Sequence, residues 1–152
     1  MLGIFRVAAL LAVLMGVAVV LLALRPAPAP ESKALFHGAQ LDEPTLALFQ
    51  RACQNCHSEN TVWPWYSRIP PASWMIRKDI DDARRHVNFS HWDAYRPDEQ
   101  QELLTRIGSV ARSGQMPLRR YTLLHSEAVL SPLERQQIYE WSRSERKRVR
   151  SR

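Results

Sequence analysis

The chain is short of cysteine and of any strand pattern. Of its 152 residues only two are cysteine, Cys53 and Cys56, and both fall inside one five-residue stretch. That leaves neither a disulfide framework nor a second C-x-x-C unit. Apolar and polar residues do not alternate convincingly anywhere, which removes the βαβ context that a thioredoxin-like C-x-x-C needs. A basic folded surface is also missing. The formal net charge is +6, yet residues 31–141 carry 13 Lys and Arg against 14 Asp and Glu. The excess lies in residues 142–152, where Arg143, Arg146, Lys147, Arg148, Arg150 and Arg152 face one acid, Glu145. A nucleic-acid-binding domain needs its positive charge on the folded body, so no nucleic-acid partner is expected. The tail reads as a solvated, frayed helix end whose cations suit the helix dipole. Contact with anionic lipid or an acidic redox partner is the sharper reading.

What the chain does have is Cys53-Gln54-Asn55-Cys56-His57. This is C-x-x-C-H, the attachment sequence for c-type haem. Two thiols three positions apart on a helical turn can each add to a haem vinyl group. The histidine directly after the second thiol is then held under the iron as an axial ligand. A zinc site would have to recruit its remaining ligands from His37, His86, His91 or His125, none at finger spacing. The expectation is therefore one covalent heme c, held by Cys53 and Cys56, with His57 on the metal.

At the N-terminus, Val7 to Leu24 is an uninterrupted apolar run of 18 residues. At helical rise it spans roughly 27 Å, enough to cross a hydrocarbon core. Residues 1–24 thus read as a membrane anchor, with a cleaved signal peptide as the alternative. The nearest small-x-small site, Ala27-Pro28-Ala29, is followed by Pro30, which disfavours cleavage. Residues 25–31, Arg-Pro-Ala-Pro-Ala-Pro-Glu, form a stiff, extended linker. Bacteria attach haem to thiols outside the inner membrane, so a single-pass inner-membrane protein with its domain in the periplasm is expected.

Residues 32–141 have the size of one compact domain, and helical signals dominate it. Glu43-Pro44-Thr45 opens a first helix that delivers Cys53 and His57 at its end. The stretch Thr61–Pro71 is a proline-restricted loop. Ser73 reads as the cap of a second helix running to about Val87, with Ile76, Ile80, Ala83 and Val87 on one stripe. Asp79, Asp81 and Asp82 on that helix read as solvated surface, not as paired catalytic carboxylates. Pro97 starts a third helix with Leu103, Leu104, Ile107, Val110 and Ala111 inward, and Gly114 ends it. Ser131-Pro132-Leu133-Glu134 is a capping box for a last helix burying Leu133, Ile138 and Trp141. The fold class expected is all-α.

These stretches carry a resemblance. Cys53-Gln54-Asn55-Cys56-His57-Ser58, Trp63-Pro64-Trp65-Tyr66-Ser67, Ile69-Pro70-Pro71-Ala72-Ser73-Trp74, Asn88-Phe89-Ser90-His91-Trp92, Met116-Pro117-Leu118 and Leu130-Ser131-Pro132-Leu133-Glu134-Arg135 span most of residues 50–141. Together they resemble the bacterial haem-binding-domain family of cytochrome c-like proteins. The resemblance implies a mono-haem domain of cytochrome c-like fold, in which the first and last helices cross and the haem sits edge-on between loops.

Met116 is the candidate for the sixth iron ligand. Its thioether is a soft donor, the following proline stiffens its loop, and His/Met ligation raises the potential of haem iron. Its competing role is a core methionine filling a gap. His125 is the rival on the same loop, ahead of His86, His91 or an open site; His37 reads as solvated. Trp63, Trp65, Tyr66 and Trp74 are expected to line haem edges, with Arg68, Arg119 or Arg120 neutralising propionates. Trp92 and Trp141 read as core.

The function expected from these features is a membrane-anchored, periplasmic mono-haem c-type cytochrome carrying single electrons between redox protein partners. A haem-based sensor or small-ligand binder with a weak or open sixth site is the alternative. An enzyme ranks last, because the sequence has no second haem motif and no defensible acid–base pair.

Overall fold

The computed structural model describes residues 6–7, 10–17 and 33–151. Residues 10–17 are helical with exposed apolar side chains, among them Leu10, Leu14 and Val17. Among the described residues no helix is long and apolar enough to cross a membrane. The rest of the apolar run to Leu24, and the linker at 25–31, lie outside the described residues, so the expected anchor at 1–24 falls only partly within them and the expected spacer lies outside.

The ordered body is all helix and turn, with no strand among the described residues. Its elements are α1 (Glu43–Ala52), α2 (Gln54–His57), α3 (Ala72–His86), α4 (Pro97–Arg112), α5 (Arg119–Thr122) and α6 (Pro132–Arg150). Three short 3-10 turns, Trp65–Arg68, Phe89–Ala94 and Ser126–Ala128, link them.

Local chemistry sets the starts of these helices. The Asp42 carboxylate accepts from the Thr45 N–H at 3.0 Å, with Pro44 in the first turn of α1. Pro97 sits at the start of α4, where the Glu99 carboxylate reaches back to the Arg96 N–H (2.8 Å). At α6 the capping box closes in both directions: Ser131 N–H to Glu134 (2.7 Å) and Glu134 N–H to the Ser131 hydroxyl (3.3 Å). Each satisfies donors that the first helical turn cannot.

The core is aromatic and draws on both ends of the body. Phe36, 2% exposed, contacts the rings of Phe49, Phe89, Trp92 and Trp141 at centroid distances of 4.4–5.1 Å. Its φ of +55° is one that a bulky residue seldom adopts. Four ring contacts and its N–H to the Phe89 carbonyl (2.9 Å) hold it there. Helices α1 and α6 meet at the Gln137–Thr45 hydrogen bond (3.0 Å) and the Phe49–Trp141 ring contact (5.0 Å). Helices α4 and α6 bury Leu104 and Ile138 almost completely. Removing a side chain of that kind from water stabilises the fold by about 1.5–3 kcal/mol.

Four local readings change. Ser73 does not cap α3, which begins one residue earlier at Ala72; Ser73 lies inside the first turn and is buried. Leu133 is 83% exposed, because the inward stripe of α6 runs through Ile138, Ser142, Glu145 and Val149. The basic stretch is no frayed appendage: α6 continues to Arg150, with Val149 2% exposed and Glu145 paired to Arg148. Asp79 is not merely solvated surface: it pairs with Arg120 on the wall of an internal cavity.

Candidate functional site

The Cys53 N–H donates to the Phe49 carbonyl (2.9 Å) and closes α1. Its φ/ψ of −128°/−32° then break the helix. The chain restarts at once as α2, and the N–H groups of Cys56 and His57 both donate to the Cys53 carbonyl, at 3.2 and 3.0 Å. This single turn brings both thiols and the imidazole to the wall of one cavity of about 450 Å³, within the usual range for a small-molecule or cofactor site.

The cavity is mainly apolar. Its walls come from α1 (Phe49, Ala52), α3 (Ile76, Ile80, Ala83), α4 (Leu103, Ile107, Val110) and the segment after α4 (Met116, Leu118, Leu130). These are the amphipathic stripes of α3 and α4, turned toward a shared space instead of closing on each other.

His57 is held in one orientation. Its Nδ1 lies 3.1 Å from the Val87 carbonyl oxygen, and its ring stacks on Phe89 at 5.3 Å and 23°. A carbonyl can only accept, so Nδ1 carries the proton and Nε2 is the nitrogen with a lone pair to give. Burial pushes the imidazole below the usual histidine pKa, against the raising effect of the Val87 and Ala83 carbonyls. A neutral ring is the ligating form. Burial also raises both thiols. Cys53 is pushed up to about 12, with Cys56 adding to the rise and Arg51 opposing it. Cys56 is raised by burial and then by Asp79, against Arg84 and Arg120. Both sulfurs therefore carry their protons at neutral pH.

The loop that follows is tied down by polar groups that sequence reasoning missed. Arg84 donates to the Ser58 carbonyl through Nε (3.1 Å) and Nη2 (2.7 Å), and to the Thr61 hydroxyl (3.0 Å). Thr61 in turn donates to the Asn55 carbonyl (2.7 Å), and the Asn55 amide donates to the Tyr121 hydroxyl (2.9 Å). No local signal marks Arg84, because its partners lie more than twenty residues back in the chain.

Of the residues expected at the site, Cys53, Cys56, His57, Met116, Tyr66, Arg120 and His125 line the cavity. Trp63, Trp65 and Trp74 are 43%, 77% and 67% exposed and stand outside it. Arg68 and Arg119 are also exposed and do not line it. The 3-10 turn at Trp65–Arg68 points Tyr66 inward and buries Ser67, which leaves Trp65 facing water. Trp74 precedes Ala83 by nine residues, which at about 100° per residue is the opposite side of α3. Trp92, 1% exposed, is core as expected.

Arg120 reaches the cavity wall in a two-pronged pair with Asp79, at 2.9 and 2.6 Å. Asp79, Arg106 and His86 line the same space. Met116 follows Gly114, whose φ of +73° turns the chain out of α4, and its N–H donates to the Val110 carbonyl (3.2 Å). His125 is engaged at both nitrogens: Nδ1 with the Glu127 carboxylate (2.9 Å) and Nε2 with the Tyr66 hydroxyl (2.6 Å). Its ring also stacks on Tyr121 at 4.3 Å. His91 is exposed and outside the cavity.

These residues fit a haem. A nitrogen donor and a thioether share one apolar cavity with two thiols, and cationic side chains stand in its walls. A nitrogen donor and a soft sulfur donor are the residue types that hold haem iron.

No curated protein and no solved structure matches the chain. The model of one family, the haem-binding domain, matches residues 12–144. That match covers the whole described body up to the middle of α6, including every residue that builds the cavity, and the chain belongs to the haem-binding-domain family.

Proposed function

We propose that the chain is a mono-haem c-type cytochrome that carries single electrons. Cys53 and Cys56 hold the group, each by addition of its S–H across one vinyl, with sulfur bonding to carbon and the hydrogen going to the neighbouring carbon. His57 and Met116 would ligate its iron. Bound haem supplies a one-electron ferric/ferrous couple. The chain's own residues fix its potential: the Val87 carbonyl raises the basicity of His57 through Nδ1, the apolar walls exclude water, and the Arg120–Asp79 pair sets local charge.

The observation that carries this reading is that Cys53, Cys56, His57 and Met116 line one cavity, with His57 already oriented by Val87. The two hydrogen bonds on His125 favour Met116 over it, since His125 would have to give up Tyr66 to offer Nε2. The apolar run from Val7 to Leu24 supports inner-membrane attachment, and haem attachment outside that membrane supports a periplasmic domain with membrane-bound redox partners.

The test is expression alongside a cytochrome c maturation system, followed by denaturing extraction and optical spectroscopy. Haem that stays with the polypeptide, and is lost in a Cys53→Ser/Cys56→Ser variant, supports covalent attachment. A low-spin ferric spectrum carrying the weak sulfur-to-iron charge-transfer band supports Met116. Extractable haem overturns the c-type assignment, and a high-spin spectrum with ready carbon monoxide binding transfers the chain to the ligand-binding class.

A further inference from the structure

Two of the basic residues near the end of α6 are held in place, Arg146 by Thr105 and Arg148 by Glu145, and the placement of Arg146 points to a second site. Helices α4 and α6 run antiparallel. Arg146 Nη1 donates to Thr105 Oγ1 at 2.9 Å, and the Arg112 guanidinium lies 4.5 Å from the centre of the Tyr139 ring. Between those contacts, a Cβ on Gly108 would come within 3.2 Å of the Ser142 Cβ. Two residues this small at the closest approach leave a groove of about 590 Å³ along the seam. It shares no lining residue with the haem cavity, which uses the other face of α4.

The groove is unusual in charge. Arg112, Arg143 and Arg146 line it together with Ser109 and Tyr139, and no carboxylate does. None of the three guanidiniums pairs with an acid among the described residues, whereas Arg51, Arg84, Arg120 and Arg148 each do. Ser142, also in the lining, holds the one buried side-chain polar atom without a hydrogen-bond partner among the described residues. Three like charges brought together on a rigid helix pair repel one another, and an unpaired buried hydroxyl adds its own cost. An anionic ligand in the groove relieves the repulsion among the three guanidiniums.

We propose that this groove binds a phosphate group. Guanidinium forks match phosphate oxygens two at a time, three cations suit a charge of more than one, and hydroxyls donate to the remaining oxygens. The groove has room for more than a lone phosphate ion, so the ligand is a diphosphate or a phosphate with its ester substituent. A soluble phosphate ester and a lipid headgroup share that chemistry.

Pyrophosphate is titrated calorimetrically into the full haem-loaded chain in zwitterionic detergent. Saturable binding is expected, weakened about tenfold or more (1.4 kcal/mol for each factor of ten) in Arg143→Gln/Arg146→Gln. It should be unchanged in Lys147→Gln/Arg150→Gln, which removes the same charge from exposed positions of the same helix outside the groove. Vesicles of phosphatidylglycerol that displace pyrophosphate, where phosphatidylcholine does not, identify a lipid headgroup; no displacement identifies a soluble phosphate. If the first double variant loses helicity, the exposed Arg143→Gln alone decides: weaker binding supports the site and unchanged binding overturns it. Absence of saturable binding at millimolar pyrophosphate, or equal weakening in both double variants, also overturns it.

Discussion

The hydroxyl of Tyr66 stands 2.6 Å from Nε2 of His125, joining two loops 59 residues apart in the wall of the haem cavity. Glu127 accepts from the other ring nitrogen at 2.9 Å, so in the neutral ring Nδ1 carries the proton and Nε2 accepts from the phenol. The pair clamps the 117–128 segment, which begins directly after Met116. Tyr66→Phe removes the hydrogen bond while keeping the ring. A loss of about 0.5–1.5 kcal/mol is expected in denaturant titrations, with the slope against denaturant unchanged.

Arg84 should be less replaceable than the exposed cations around it. Its fork holds the Ser58 carbonyl and the Thr61 hydroxyl, and Ser58 is 0% exposed. Arg84→Leu would leave that carbonyl without its donor, at a cost of about 1–3 kcal/mol. Arg84→Lys should recover little, because an ammonium cannot present two parallel N–H groups. Equilibrium unfolding of the three proteins checks the order.

The haem-free chain should be alkali-sensitive in a way the loaded chain is not. Burial raises Cys53 from an ordinary 9.0 to about 12. Between those values the unfolded thiol has given up its proton while the folded one keeps it. The unfolded state then binds fewer protons, and stability falls as pH rises. Stability from this source is complete below about pH 9 and is lost as pH approaches about 12. A thioether has no proton to lose, so the effect should vanish on haem attachment. Unfolding midpoints of apo and loaded chains across that window test it, and Cys53→Ser should flatten the apo profile.

How much of this could be read from sequence depended on how far apart the cooperating residues lie. The helix starts at Pro44, Pro97 and Ser131-Pro132 were legible because a cap is completed within four residues. The C-x-x-C-H unit was legible because its chemistry fits on one helical turn. Trp63, Trp65 and Trp74 misled, since proximity to the motif in sequence says nothing about which side of α3 or of a 3-10 turn a ring occupies. Arg84, Asn55 and Tyr121 were invisible because their partners are distant and carry no local pattern. The basic end of α6 reads as a solvated tail in composition; only the buried faces of Glu145 and Val149 make it part of the body. Met116 and His125 both reach the cavity, and sequence ranked them without knowing that His125 is already engaged at both nitrogens.

That engagement gives the sharpest expectation. If His125 were free to move onto the iron, Met116→Ala would give a low-spin, bis-histidine spectrum. With Nε2 held by Tyr66 and Nδ1 by Glu127, the expected result is instead an open site: loss of the sulfur-to-iron band, high-spin character, and carbon monoxide binding to the reduced form. The potential should drop, because a thioether favours the ferrous state. Adding Tyr66→Phe releases Nε2, so the Met116→Ala/Tyr66→Phe chain should shift back toward low spin and bind carbon monoxide less readily than the single variant. A low-spin spectrum already in Met116→Ala would mean the Tyr66–His125 bond is too weak to restrain the ring. Unchanged spectra in both chains would mean that Met116 never ligates the iron.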